Sequence, residues 1–162
     1  MLNDMLKKYG LQTSIPGSRP NDSQFAVFAH FLRERRGKAL SAAVVRTNVA
    51  EWLKENSHIV LREGMFLTDL FSFELDMAQW EEYCETIKKE DTTGDIITLI
   101  GAAHLYDVNV FLISSSTMRS NVFWTEIRPG YIIDVFDRVP EEILMMSCVS
   151  ETQYGTIVKS TL

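Results

Sequence analysis

Two cysteines and three histidines are the side chains in this sequence that could supply a nucleophile and a proton acceptor. A cysteine hydrolase needs a thiolate beside an imidazole, with a third group that orients the ring. Cys84 lies at helical spacing with apolar neighbours, and Cys148 lies in an apolar stretch. Both patterns favour a small buried side chain over a reactive thiolate. The sequence therefore predicts a structural role for both cysteines.

The histidines give no better indication of catalysis. His30, His58 and His104 each lie in or beside a helical pattern, with no cysteine or carboxylate near them in a recognisable arrangement. No two of them stand four residues apart beside a carboxylate, which is the spacing of a helical zinc hydrolase site. We therefore predict no metal and no other cofactor.

Length and charge limit the classes of partner. The chain has 162 residues, 46% apolar and 23% charged, which is ordinary for one globular domain. With 16 basic and 22 acidic residues its net charge is −6, which disfavours nucleic acid and anionic membranes as partners. Two isolated cysteines indicate a reducing compartment. We expect a cytoplasmic location, with the nucleus as the alternative.

Helical periodicity dominates the first two thirds of the chain, where apolar residues recur every three or four positions. Gly37 is expected to end one helix, and residues 92–95 (Thr, Thr, Gly, Asp) to break the chain and cap another. Pro16, Gly17 and Pro20 predict a loop over residues 11–20. The predicted helices cover residues 1–9, 22–36, 40–55, 95–106 and two shorter stretches within 64–90.

Beyond residue 107 the pattern changes to a period of two, which is typical of strands. Helices followed by short strands predict an α+β fold, with N-terminal helices packed on a small, mostly antiparallel C-terminal sheet. Parallel pairing of some strands stays open. The predicted strands cover residues 108–113, 122–127, 131–136, 143–149 and 154–158.

Three segments resemble the ovarian-tumour (OTU) family of cysteine deubiquitinases. Residues 20–29, PNDSQFAVFA, are similar to P-x-D-G-x-C-L-F-x-A, the loop that delivers the nucleophile at a helix start. Residues 94–113, GDIITLIGAAHLYDVNVFLI, are similar to the family's capped helix and the strand that follows it. Residues 152–158, TQYGTIV, resemble N-H-Y-[ND]-S-V-V, the strand that carries the catalytic histidine.

The resemblance covers residues 20–158 and implies a papain-like α+β fold. We therefore expect a single OTU-like domain over residues 1–162, in which residues 1–19 form an N-terminal helix and loop.

In this alignment the residues of the family's chemistry are replaced. Phe25 stands at the cysteine, Gln153 at the histidine and Gly155 at the orienting Asn or Asp, whereas Asp22 is retained. Phenylalanine has no lone pair for attack, and glutamine does not exchange protons near neutral pH. Phe25 is instead expected to pack at the head of its helix. A shift of two residues would place Ser23 at the nucleophile position.

The resemblance thus implies a catalytically inactive domain, a pseudo-deubiquitinase that acts by binding a protein. Ubiquitin or a ubiquitin-like protein is the candidate partner. Two alternatives stay open. One is a hydrolase with a displaced nucleophile, Cys84 or Cys148, and the other is a dimerisation scaffold within a larger protein.

An acidic region over residues 58–92 holds nine acidic and three basic residues, mixed with several large apolar side chains. This stretch resembles the family's helical arm that grips the distal ubiquitin. The alternative is an ordinary solvated face over a buried one. The candidate partner-binding residues are Met65, Phe66, Leu70, Phe71 and Glu74.

Overall fold

The structure, a computed structural model, describes residues 2–14, 19–62, 65–71, 75–114, 124–128, 131–135, 144–149 and 153–159. Its helices are α1 (Leu2–Lys8), α2 (Ser23–Arg36), α3 (Ala42–Glu55), α4 (Met77–Ile87) and α5 (Ile96–Tyr106). Its strands are β1 (Leu11–Ser14), β2 (Val60–Arg62), β3 (Met65–Phe66), β4 (Val110–Ser114), β5 (Trp124–Arg128), β6 (Tyr131–Val135), β7 (Leu144–Val149) and β8 (Gln153–Lys159).

Local sequence sets the ends of the two helices that matter most for the site. The Asp95 carboxylate accepts hydrogen bonds from the backbone N–H groups of Ile97 and Thr98, both at 2.9 Å, and so caps α5. Helix α2 ends at Gly37, whose φ of 64° is left-handed and favours glycine. Both boundaries confirm the sequence-based expectation. Among the helices of the described ranges, none is long and apolar enough to cross a membrane.

Six of the described strands form one sheet in the order β1-β8-β7-β4-β5-β6. Strands β4 and β7 pair in parallel, and the other neighbouring pairs are antiparallel. The predicted mostly antiparallel sheet is therefore confirmed, and the open question about parallel pairing is resolved at β4 and β7. The helices and this sheet together give the predicted papain-like α+β fold.

The main hydrophobic core lies between the helices and one face of the sheet. Strand alternation assigns Val110 and Leu112 of β4 to this inner face, because both belong to the core cluster that includes residues of α2, α3, α4 and α5. Phe111 and Ile113 alternate with them and are also buried, so the opposite face is covered as well. Strand β4 is therefore buried on both of its faces.

The predicted loop over residues 11–20 is wrong at its beginning, because residues Leu11–Ser14 form strand β1. Leu11 pairs with Lys159 and Ser14 with Thr156 along β8. Four residues next to a proline-rich stretch carry little local signal. Their extended conformation is selected by a strand almost 150 positions later.

The first of the two short helices predicted within residues 64–90 is also wrong, whereas the second is present as α4. Strand β3 pairs with β2, and a single 3₁₀ turn, Leu67–Leu70, follows. The N–H of Leu67 donates to the carbonyl of Ile59 at 2.8 Å. This contact between segments overrides the helical spacing of the apolar residues.

Candidate functional site

The beginning of helix α2 lies against strand β8, and one hydrogen bond joins them. The backbone N–H of Tyr154 donates to the Ser23 Oγ at 2.9 Å. Ser23 is the first residue of α2, and its side chain is buried. The structure therefore brings Ser23 within one residue of Gln153, although 130 positions separate Ser23 from Gln153 in the sequence.

Gln24 joins the same helix end to the beginning of α5. Its Nε2 donates to the backbone carbonyl of Asp95 at 3.0 Å, and its Oε1 accepts from Thr98 Oγ1 at 2.7 Å. A Cβ at Gly94 would stand 2.6 Å from the Gln24 Oε1, so the amide fills the space that a side chain there would need. The starts of α2 and α5 are therefore held together by a buried polar contact.

The Asp95 carboxylate has a second function besides capping α5. It accepts from the hydroxyl of Tyr83 on α4, at 2.9 Å and 2.8 Å to its two oxygens. Burial, together with the charge and hydrogen bond of Asp95, raises the pKa of Tyr83, so this phenol stays protonated as a donor. Helix α4 is thereby tied to the same polar cluster.

Arg46 of α3 holds the loop before α2 in place. Its guanidinium is buried and donates to the Asp22 carboxylate at 2.8 Å and to the Asn21 carbonyl at 2.9 Å. It also donates to backbone carbonyls in the turn after α4, including that of Ile87 at 2.8 Å. Asp22 therefore serves as the ion-pair partner of a buried arginine, in a position where its carboxylate orients the loop.

Phe25 lies under this arginine. Its side chain is fully buried in the main core, and the Arg46 Cζ stands 4.4 Å from the centroid of its ring. The packing expected for Phe25 is confirmed. Ser23 contacts β8, whereas Phe25, the residue aligned with the family's cysteine, faces the core.

Gln153 and Gly155 lie on the sheet face opposite to Tyr154, as strand alternation requires. Gly155 is tightly enclosed, because a Cβ there would stand 2.6 Å from Thr13 Cγ2 and 3.1 Å from Ser147 Oγ. A longer side chain at this position would displace β1. Gln153, aligned with the family's histidine, thus provides an amide. Gly155, aligned with the orienting residue, has no room for a side chain.

Both cysteines are buried. Burial raises the pKa of the Cys84 thiol to about 12, so almost none of it is thiolate near neutral pH. Cys148 pairs with Tyr154 across β7 and β8 and is 3% exposed. The structural role predicted for the two thiols agrees with these positions.

The histidines lie away from Ser23. His30 is exposed on α2, seven residues further along, which is about 10 Å of helix rise. His58 is exposed beyond α3, and His104 stacks on Trp52 at the far end of α5, with ring centroids 5.4 Å apart. In the described part of the chain, no three His, Cys, Asp or Glu side chains converge as they would to hold a metal ion.

The candidate partner-binding residues differ in exposure. Phe66 is 46% exposed on β3, whereas Leu70 and Phe71 are partly buried against the core. The ring of Phe71 packs edge-on against Tyr83, with centroids 5.1 Å apart. Met65 belongs to β3, and Glu74 lies outside the described residues. Phe66 is therefore the aromatic residue of this set that is open to a partner.

The sequence analysis did not identify Arg46 as part of the site. A signal was present, because Arg46 stands four and seven residues before Ala50 and Leu53, which share its buried side of α3. A charged residue in that register requires buried acceptors, which the carbonyls after α4 supply. Their position could not be read from the sequence.

Comparison with solved structures places this chain among proteins of known fold. It is similar to an OTU deubiquitinase from Wolbachia pipientis wMel, with a TM-score of 0.71 and 12% identity over 93% of this chain and 89% of that chain. An OTU deubiquitinase from Wolbachia pipientis wMel bound to ubiquitin has a TM-score of 0.67 and 13% identity, over 93% of this chain and 97% of that chain. The viral OTU domain protease from Farallon virus has a TM-score of 0.53 and 10% identity, over 91% of this chain and 83% of that chain. No family model and no curated protein sequence matches the chain.

Proposed function

Because the chain has the fold of the OTU deubiquitinase domains, we propose that it is a catalytically inactive member of that fold which acts by binding a protein. Ubiquitin or a ubiquitin-like protein is the first candidate partner. The proposal rests on one observation, the hydrogen bond between Ser23 and the backbone of β8. Among the described residues, no histidine side chain contacts this hydrogen-bonded pair.

Hydrolysis of an isopeptide bond needs a nucleophile and a group that accepts its proton and returns it. The polar side chains on neighbouring residues are the amide of Gln24 beside Ser23 and, on β8, the phenol of Tyr154 and the amide of Gln153. An amide is no base near neutral pH, and burial raises the pKa of Tyr154 further above its usual value. These groups supply hydrogen bonds without acid–base catalysis.

A hydrolase with a displaced nucleophile is the less favoured alternative. Cys84 is buried with a strongly raised pKa, and Cys148 is buried on β7, beside Tyr154 of β8. Neither thiol could attack a bound substrate without a large rearrangement of the core.

Cleavage of diubiquitin chains of defined linkage, together with labelling by a ubiquitin probe that carries a thiol-reactive C-terminal group, tests the inactivity. We expect neither turnover nor a covalent adduct. A Cys84→Ser/Cys148→Ser variant is the matched control. Turnover that disappears in this variant would support a displaced cysteine, and turnover that persists would contradict the proposal by revealing other chemistry.

Phe66 and the acidic region around it support the choice of partner. The aromatic ring is exposed beside a stretch that carries the whole net charge of −6. An exposed apolar side chain among carboxylates suits a partner with an apolar patch and nearby basic groups. The Wolbachia deubiquitinase of the same fold was solved bound to ubiquitin, which supports ubiquitin as the first protein to test.

Titration of isotope-labelled ubiquitin with the wild-type chain tests this surface. We expect chemical-shift changes that weaken with added salt, since exposed charges are screened over about 10 Å at 0.1 M. Phe66→Asp should abolish them, while Val44→Asp, at an equally exposed position on α3, should leave them unchanged. Absence of any shift at millimolar concentration would exclude ubiquitin as the partner.

A further inference from the structure

A cleft of about 410 Å³ opens between helix α2, the segment that leads into α3, and strands β1 and β8 of the sheet. Its volume is within the range of ligand sites, roughly 300–1,000 Å³. Ser14 and Thr156 line one wall, His30 and Arg33 the other, and Leu40 is part of the apolar lining. This cleft lies two turns along α2 from Ser23 and takes no part in the site described above.

The cleft is basic in a protein that is acidic as a whole. His30 and Arg33 are both exposed, and no carboxylate is among the lining residues. Within the described part of the chain, neither side chain forms an ion pair or hydrogen bond. Arg36, one turn further, differs because it donates to the carbonyls of Tyr106 and Asp107 and so stabilises the fold. Arg33 has no such structural partner.

The same cleft borders the outer edge of the sheet formed by the described strands. Strand β1 is outermost in the strand order, and among the described strands β8 is its one neighbour. Gln12 and Ser14 of β1 are exposed. An edge strand presents unpaired N–H and C=O groups to which an extended peptide can add.

We propose that this cleft binds an extended peptide segment with an acidic side chain, paired to the free edge of β1. The backbone of the peptide hydrogen-bonds to β1, while one carboxylate enters the cleft and meets the guanidinium of Arg33 and the imidazole of His30. Arginine suits this role because its planar fork binds a carboxylate through two parallel hydrogen bonds.

Fluorescence polarisation with a labelled six-residue peptide of alternating valine and glutamate tests the proposal. We expect saturable binding at least tenfold tighter than that of the matching valine–glutamine peptide. Arg33→Gln should weaken binding at least fivefold. Arg35→Gln is the matched control, since it removes the same charge from an exposed position on the same helix outside the cleft lining, and it should change affinity less than twofold.

A second measurement tests strand addition. The same peptide with N-methyl groups on alternate residues should lose binding, because it cannot pair with β1. Amide resonances of Ser14 and Thr156 should shift with the unmodified peptide. No saturable binding at 1 mM peptide, equal losses in Arg33→Gln and Arg35→Gln, or competition by free glutarate as effective as by the peptide would each overturn the proposal.

Discussion

The substitution Phe25→Ala tests whether the Phe25 ring stabilises the beginning of α2, which carries Ser23. The ring is fully buried and belongs to the main core, and the guanidinium of Arg46 lies over it at 4.4 Å. Alanine would remove the ring from the core and leave Arg46 without its aromatic contact. The cavity would lie directly below the loop that precedes α2.

The expected loss of stability follows from two contributions. Truncating a buried phenylalanine costs about 3–5 kcal/mol. A desolvated cation–π contact contributes up to about 2 kcal/mol, part of which that range already includes. A loss of about 4 kcal/mol corresponds to a fall in Tm of roughly 8–16 °C for a chain of this size.

Urea denaturation of the wild-type chain, Phe25→Ala and Phe66→Ala measures the effect. Phe66 is 46% exposed, so its truncation should cost less than about 1 kcal/mol and serves as a matched aromatic control. If Phe25→Ala also costs less than about 1 kcal/mol, the ring is displayed outward in solution. The packing of Phe25 described above would then be refuted.

Three further outcomes follow from the same contacts. Arg46→Met should lose roughly 3–5 kcal/mol of unfolding free energy, because it breaks the ion pair of a buried guanidinium with Asp22 and leaves the carbonyls bound by Arg46 without their donor; a loss below about 1 kcal/mol would contradict this role of Arg46. Gly155→Ala should lose about 1–3 kcal/mol through overpacking against Thr13, and adding Thr13→Ala should restore part of it; equal stability of all three chains would disprove the crowding. The raised pKa of Cys84, about 12 against 9.0, predicts alkylation at pH 8 roughly a thousandfold slower than for a free thiol, so rapid labelling of the folded chain would contradict its burial.

Sequence could predict the elements whose signals are local. The cap at Asp95 and the stop at Gly37 are short-range features, and the structure has both. Strand β1 was missed because its partner β8 lies almost 150 positions later, and the hairpin of β2 and β3 was missed because its apolar residues also match helical spacing. A four-residue strand carries too little pattern to outweigh a neighbouring proline-rich stretch.

The candidate site was predictable in composition but not in geometry. The absence of histidine at the end of the chain could be read from residues 152–158. The choice between Phe25 and Ser23 could not, because both frames match the same motif partially. In the structure the Ser23 side chain reaches β8, and the Phe25 ring packs against Arg46.

The pairing of β1 with β8 has a consequence for synthesis on the ribosome. The register joins Leu11 to Lys159, and the hydrogen bond from Tyr154 to Ser23 spans 131 positions. Contacts of such sequence separation close late, since the entropy of ordering the intervening chain must be overcome first. While the nascent chain emerges, the beginning of α2 therefore lacks its contact with β8, and the edge of β7 that pairs with β8 is uncovered. Until β8 has left the exit tunnel, these surfaces are open to chaperones and proteases.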